Sequence, residues 1–153
     1  MPTLFWRRFT AGECGLATEM FGAGIAPERL RLLALPIWRR AFVAGPGLMV
    51  WPRARLRNDF AAGDVPLSVQ AVFVHELTHV WQAQNGMRLL WAKLKAGDRP
   101  EAYAYDLDCG ATFRDLNIEQ QAMVVEHAFL ASRGATVQHP ADRYAAARSA
   151  WRA

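Results

Sequence analysis

The sequence predicts an α+β fold, a small antiparallel sheet packed against two long helices, and three stretches predict it. "AFVAGPGLMVWP" sets two short apolar arms, with Phe42 and Val43 on one and Val50 and Trp51 on the other, around Gly45-Pro46-Gly47, which is the turn chemistry of a hairpin. "PLSVQAVFVHELTHVWQAQNG" and "NIEQQAMVVEHAFLASRG" repeat apolar residues at intervals of three and four, the period of a helix buried along one face. The 153 residues suit one domain, 1–153, with no internal repeat or low-complexity segment to divide them.

Taken in order, Leu16, Ala17, Met20 and Phe21 at helical spacing predict a short helix from about Thr10 to Ala23. Alternation at Leu30, Leu32 and Ala34, followed by the hairpin, predicts two or three strands between about Arg29 and Trp51. A polar connection rich in Pro and Gly leads to a helix from about Pro66 to Gln84, with Pro66 in its first turn, Asp64 or Ser68 as cap, and Asn85-Gly86 as stop. Val69, Val72, Phe73 and Ala83 keep that helix's period, with Leu77 and Val80 adding to its apolar anchor. "MRLLWAKLK" reads as a short apolar segment ending in a loop at Gly97-Asp98-Arg99-Pro100. Asn117 caps the second strong helix, Gly134 ends it, and the Ala- and Arg-rich tail is predicted to form a third helix packed on the surface.

An apolar fraction of 52% with 21% charged residues excludes a disordered chain. Cys14 and Cys109 are the only cysteines, so neither a disulfide framework nor a CxxC metal site is built in, and both read as small buried hydrophobes. The net charge of +4 comes from 16 Arg and two Lys scattered in short groups, which predicts a solvated basic surface and no specific nucleic-acid partner. The amino terminus puts Arg7 and Arg8 after a very short apolar piece, and no window reaches the ~18 apolar residues of a membrane span. A cytoplasmic product without a transmembrane segment is expected, exported only if a dedicated machinery carries it.

The helix from Pro66 carries His-Glu-Leu-Thr-His. Positions four apart share a helix face, so His75 and His79 point together and can grip one zinc ion, while Glu76 can reach a water on that ion as its general base. Four His and seven Glu in this chain would produce roughly 0.005 such matches by chance, so the motif is specific here. Three ionisable groups buried in one turn without a shared partner would each have to be desolvated and satisfied separately. A third ligand must lie downstream, because Gln82 and Asn85 stand where the extended pattern HExxHxxGxxH needs Gly and His.

The downstream candidates are Asp106, Asp108, Asp115, Glu119, Glu126, His127 and His139. Glu119 ranks first, near the start of the second strong helix and followed three residues on by the small Ala122, which permits close helix approach. Glu126 ranks second and His127 third, the latter also a candidate transition-state donor. Tyr103 and Tyr105 alternate along "EAYAYDL" and would share one side of an extended segment, as half-buried packing or as oxyanion donors. Trp81 and Gln82 read as wall and as support for the histidines.

"PLSVQAVFVHELTHVWQAQNG", "AYAYDL" and "NIEQQAMVVEHAF" together resemble the small bacterial zincin-like metallopeptidases of gluzincin type. These occur alone or beside Rhs and Vgr elements of type VI and related contractile secretion systems. The resemblance covers about Pro66 to Phe129. It implies a zincin-like fold, one zinc ion on His75, His79 and Glu119, and Glu76 as catalytic base, with Glu119 to Ala122 matching the family's Glu-x-x-Ala. His127 departs from an acidic pair in the family pattern.

The function expected is a zinc metallopeptidase that hydrolyses peptide or related amide bonds with a zinc-activated water, as an effector or accessory of a secretion apparatus. An inactive zincin-like structural or loading module of that apparatus is the alternative. A basic module binding anionic surfaces with steep salt dependence is a third reading.

Overall fold

The computed structural model describes residues 5–152. Nine elements carry the fold: β1 (Phe5–Arg8), α1 (Ala11–Phe21), β2 (Arg31–Leu35), β3 (Phe42–Gly45), β4 (Leu48–Pro52), α2 (Leu67–Gln84), α3 (Leu89–Ala96), α4 (Ile118–Ser132) and α5 (Ala141–Ala147). The class is α+β, as expected, but the sheet is mixed and not purely antiparallel. Its order is β1-β2-β4-β3, with β1 antiparallel to β2, β2 parallel to β4, and β4 antiparallel to β3.

Burial accounts for that correction. β4 is buried from Met49 to Pro52, so it takes a central place, while β3, with Ala44 exposed, is left at the edge. Two reversals, over residues 36–41 and at the Gly45-Pro46-Gly47 turn, then bring β4 alongside β2 in the same direction, pairing Leu32 with Met49 and Ala34 with Trp51. β1 was not expected, since its two arginines hide the strand signal. Arg7 reaches the fully buried Glu13 with two 2.7 Å hydrogen bonds. Glu13 also accepts from the backbone of Thr10 and Phe60, so the buried charge is paired and hydrogen-bonded.

α2 runs through the centre of the molecule. Phe73, Leu77 and Val80 are fully buried, and Phe73 stacks on Phe60 with ring centroids 4.8 Å apart. Val72 is the exception to the expected anchor, 43% exposed. The helix opens without a side-chain cap: neither Asp64 nor Ser68 bonds its first amides, and the Pro66 carbonyl accepts from Val69 and Gln70 instead. It stops at Gly86, whose φ of +90° lies where other residues are strained. The segment after it, expected only as a short apolar stretch, is the helix α3.

α4 opens with a reciprocal cap between Asn117 and Gln120 and packs on α2 through the fully buried Ala122, Val124 and Val125. α5 lies on α4 with Tyr144 buried, the expected tail helix in short form. Cys14 is half-buried and Cys109 exposed, so the latter is not the buried hydrophobe the sequence suggested. No helix among the described residues is long and apolar enough to cross a membrane.

Candidate metal centre

Residues 75 and 79 lie one turn apart on α2, and the α2–α4 contact lays the first turn of α4 against them. His75 Nε2 is 3.3 Å and His79 Nε2 3.2 Å from the same oxygen, Glu119 Oε2. One donor atom from each residue lies within 4.8 Å of the others, so the three could hold a metal ion. Donors of a tetrahedral zinc site with bonds of ~2.0–2.1 Å stand roughly 3.3–3.4 Å apart, so the histidine-to-carboxylate spacings match such a site. Two imidazoles and a carboxylate are also a donor set that zinc accepts in hydrolytic sites.

The other nitrogen of each ring is held. His75 Nδ1 lies 2.9 Å from Glu126 Oε2, and His79 Nδ1 lies 2.8 Å from Gln82 Oε1. Gln82 donates its own amide to the Ile118 carbonyl and to Gln121 Oε1, which turns its oxygen toward His79. Nδ1 of His79 then carries a proton, so that Nε2, which meets Glu119 in the metal-free chain, is the nitrogen that would give its lone pair to a metal ion. Gln82, at the position where the extended motif has Gly, therefore orients a histidine from the same helix.

Glu76 is buried, and its Oε2 has no hydrogen-bond partner among the described residues. Glu76, His75, His79 and Glu119 line one open cleft of about 1140 Å³. An unpaired buried carboxylate oxygen costs on the order of 1–3 kcal/mol or more, and such groups cluster where a ligand or a reaction supplies the partner.

Charges are tightly coupled here. Burial opposes a protonated His75, but the Glu119 and Glu126 carboxylates outweigh it and raise the pKa from 6.5 to about 9. Burial likewise opposes ionised Glu119, yet the two imidazoles hold its carboxyl well below the usual range. A proton on His75 competes with a metal ion for the ring, so zinc affinity is expected to fall about tenfold per pH unit below about 9. For the metal-free chain the sign is opposite: the raised folded pKa contributes stability in full below 6.5, and this is lost as pH rises through about 9. Chelator competition and thermal denaturation across that window check both slopes.

Comparison with known proteins adds the family. The chain is 34% identical over 131 residues to the type VI secretion system spike protein VgrG2b of Pseudomonas aeruginosa, an alignment covering 81% of this chain and 13% of the spike protein's length. The solved effector domain of Pseudomonas aeruginosa VgrG2b superposes with a TM-score of 0.68 at 32% identity, covering 94% of this chain and 80% of that one. The chain belongs to the VgrG2b effector-domain family. No protein-family model matches the sequence.

The VgrG2b effector domain is associated with type VI secretion, which supports the bacterial secretion-system part of the sequence expectation. Within this VgrG2b-type domain the other candidate residues separate. Tyr103 lines the cleft, its ring 6.5 Å from that of His75, and donates to Asp98 Oδ1 at 3.3 Å. Burial, with the nearby Glu119 charge, pushes its pKa up to about 12, so the phenol keeps its proton at neutral pH. Tyr105 does not share that side: it is buried against Tyr144, and its hydroxyl also meets His127 Nδ1 at 2.5 Å. The chain turns through a helical loop at residues 100–102, which breaks the extended alternation. His127 accordingly belongs to this Tyr105–Tyr144 cluster and not to the centre.

Glu126, the second-ranked ligand, contacts His75 on the ring nitrogen facing away from Glu119. Asp106, Asp108 and His139 meet one another, not His75 and His79. The two aspartates face different ring nitrogens, at 3.9 and 3.5 Å, and Asp108 pairs with Arg143 at 2.7 Å, an ordinary ion-pair network. Asp115 caps the turn at Thr112. Sequence reading missed the cleft cations Arg39, Arg40, Arg55 and Arg57, whose clustering in two short runs was the available signal.

Proposed function

We propose that this VgrG2b-type domain is a zinc-dependent peptidase, a type VI secretion-associated effector that hydrolyses peptide or related amide bonds and has a zincin-like architecture. The observation that carries the reading is the convergence of His75 Nε2, His79 Nε2 and Glu119 Oε2 beside the unpartnered, buried Glu76 Oε2. The spacings of 3.3 and 3.2 Å and the donor set fit one zinc ion. A zinc ion there would acidify a water and polarise a carbonyl.

The chain's own residues do the rest. Glu126 and Gln82 fix the ring orientations of His75 and His79. Glu76, whose side chain lines the cleft, takes the proton of the attacking water and passes it to the leaving amine. Tyr103 is the phenol placed to donate to the oxygen that becomes negative, after exchanging its exposed bond to Asp98.

Incubation of the zinc-loaded chain with an unfolded protein such as casein is expected to release new amino termini, with chelator abolishing the release and zinc restoring it. No release under any metal load would refute the reading. Tyr103→Phe should lower kcat by ~10²-fold with little change in KM; steady-state kinetics on the peptide released fastest provide the check.

A further inference from the structure

The lining of the cleft is chemically lopsided. Apart from the carboxylates gathered around the two histidines, its one acid is Asp98, while Arg39, Arg40, Arg55, Arg57 and Lys93 all face it. Asp98 is already shared with Arg40 at 4.0 Å and with Tyr103, and Lys93 lies 3.9 Å from Glu119 Oε1. Arg39, Arg55 and Arg57 form no side-chain ion pair or hydrogen bond among the described residues. These cations come from segments distant in sequence, the loop before β3, the turn after β4, and α3, so their meeting around one opening is a product of the fold.

Between them lie apolar surfaces left open to water. Leu90 and Leu94, one turn apart on α3, are 73% and 69% exposed, and Trp38 and Val72 are 48% and 43% exposed. All four line the cleft, and Val72 precedes His75 and Glu76 by about one turn of α2, which sets an apolar surface next to the reacting groups. Apolar surface of this extent on the walls of an opening marks a place where a partner is bound.

We infer that the cleft selects an acidic polypeptide segment, seating a large apolar side chain against Val72, Leu90 and Leu94 and carboxylates against Arg39, Arg55 and Arg57. The inference rests on the peptidase reading for the identity of the cleft as substrate channel. Charge complementarity favours the acidic occupant: a basic segment would meet Arg39, Arg55 and Arg57 at close range, and a neutral one would leave these three uncompensated. A polypeptide is favoured over a lipid surface because the apolar residues line a concavity that also holds Glu76.

Two labelled peptides of equal length test this, each with a central Phe-Leu pair, one flanked by Asp and Glu and the other by Lys. Binding to the zinc-loaded Glu76→Gln chain is read by fluorescence anisotropy, so no turnover is needed. The acidic peptide is expected to bind at least about tenfold more tightly at low salt, with the margin shrinking as salt rises. Arg55→Glu combined with Arg57→Glu should erase the preference at unchanged melting temperature, and Leu90→Ser with Leu94→Ser should weaken both peptides.

Equal binding of both peptides, binding of neither, or a preference untouched by charge reversal would overturn the inference. So would sedimentation of the chain with phosphatidylglycerol vesicles while the acidic peptide fails to bind, which assigns the face to lipid. Acid preference without cleavage of either peptide by the wild-type chain sinks the peptidase reading alone, and cleavage without preference sinks this inference alone.

Discussion

Glu76→Gln is expected to leave one zinc ion per chain in place and to slow amide hydrolysis by ~10²–10⁴-fold, the range general-base catalysis supplies. The amide is close in size to the carboxylate, so the α2 packing around Leu77 and Val80 is undisturbed. What is lost is the acceptor: the Glu76 carboxylate lines the cleft, and its Oε2 has no partner among the described residues. The same substitution should leave the metal-free chain within about 1 kcal/mol of wild type, because relief of the unpartnered Oε2 is offset by loss of the attraction between Glu76 and a protonated His75. Zinc content, hydrolysis rate and thermal denaturation on one preparation test all three statements. Wild-type activity in this variant would remove Glu76 from the chemistry.

Glu119→Ala is expected to abolish stoichiometric zinc, since it removes the oxygen that both imidazoles face at 3.2 and 3.3 Å. Glu126→Ala and Gln82→Ala should retain the ion but bind it about 10–100-fold more weakly, the usual cost of losing a group that orients a ligand. The two effects differ in kind. One deletes a donor, whereas the others free a ring to rotate. Metal analysis after gel filtration separates them: zinc kept by Glu119→Ala but lost from Glu126→Ala would exchange the roles of these carboxylates.

The parts of the site legible in the sequence are those written in local periods. His75, Glu76 and His79 share a helical turn, and the caps at Asn117 and Gly134 delimit the helix that carries Glu119. Its candidacy also followed from Ala122, whose small side chain is fully buried in the α2–α4 contact. What escaped depends on partners far away along the chain. Tyr105 and Tyr103 look equivalent in "EAYAYDL", and only Tyr144, 39 residues beyond Tyr105, draws Tyr105 out of the cleft. The parallel pairing of β2 with β4 is invisible to alternation, which reports which face is buried but not which strand lies alongside. β1 is short and bears two arginines, so its apolar signal is outweighed by charge. α3 shows the complementary failure: Leu90, Trp91 and Leu94 look like core material, yet the fold leaves them outward.

The arginine-bearing segments over residues 36–41 and 53–57 lie outside α2 and α4. If the cleft is a substrate channel, charge selection is encoded in stretches of the gene separate from those that supply His75, Glu76, His79 and Glu119. Exchanging these two short surface segments between related domains would then redirect the domain to differently charged targets while the α2–α4 core stayed as it was, so diversification could proceed by grafting and need not rebuild the centre each time.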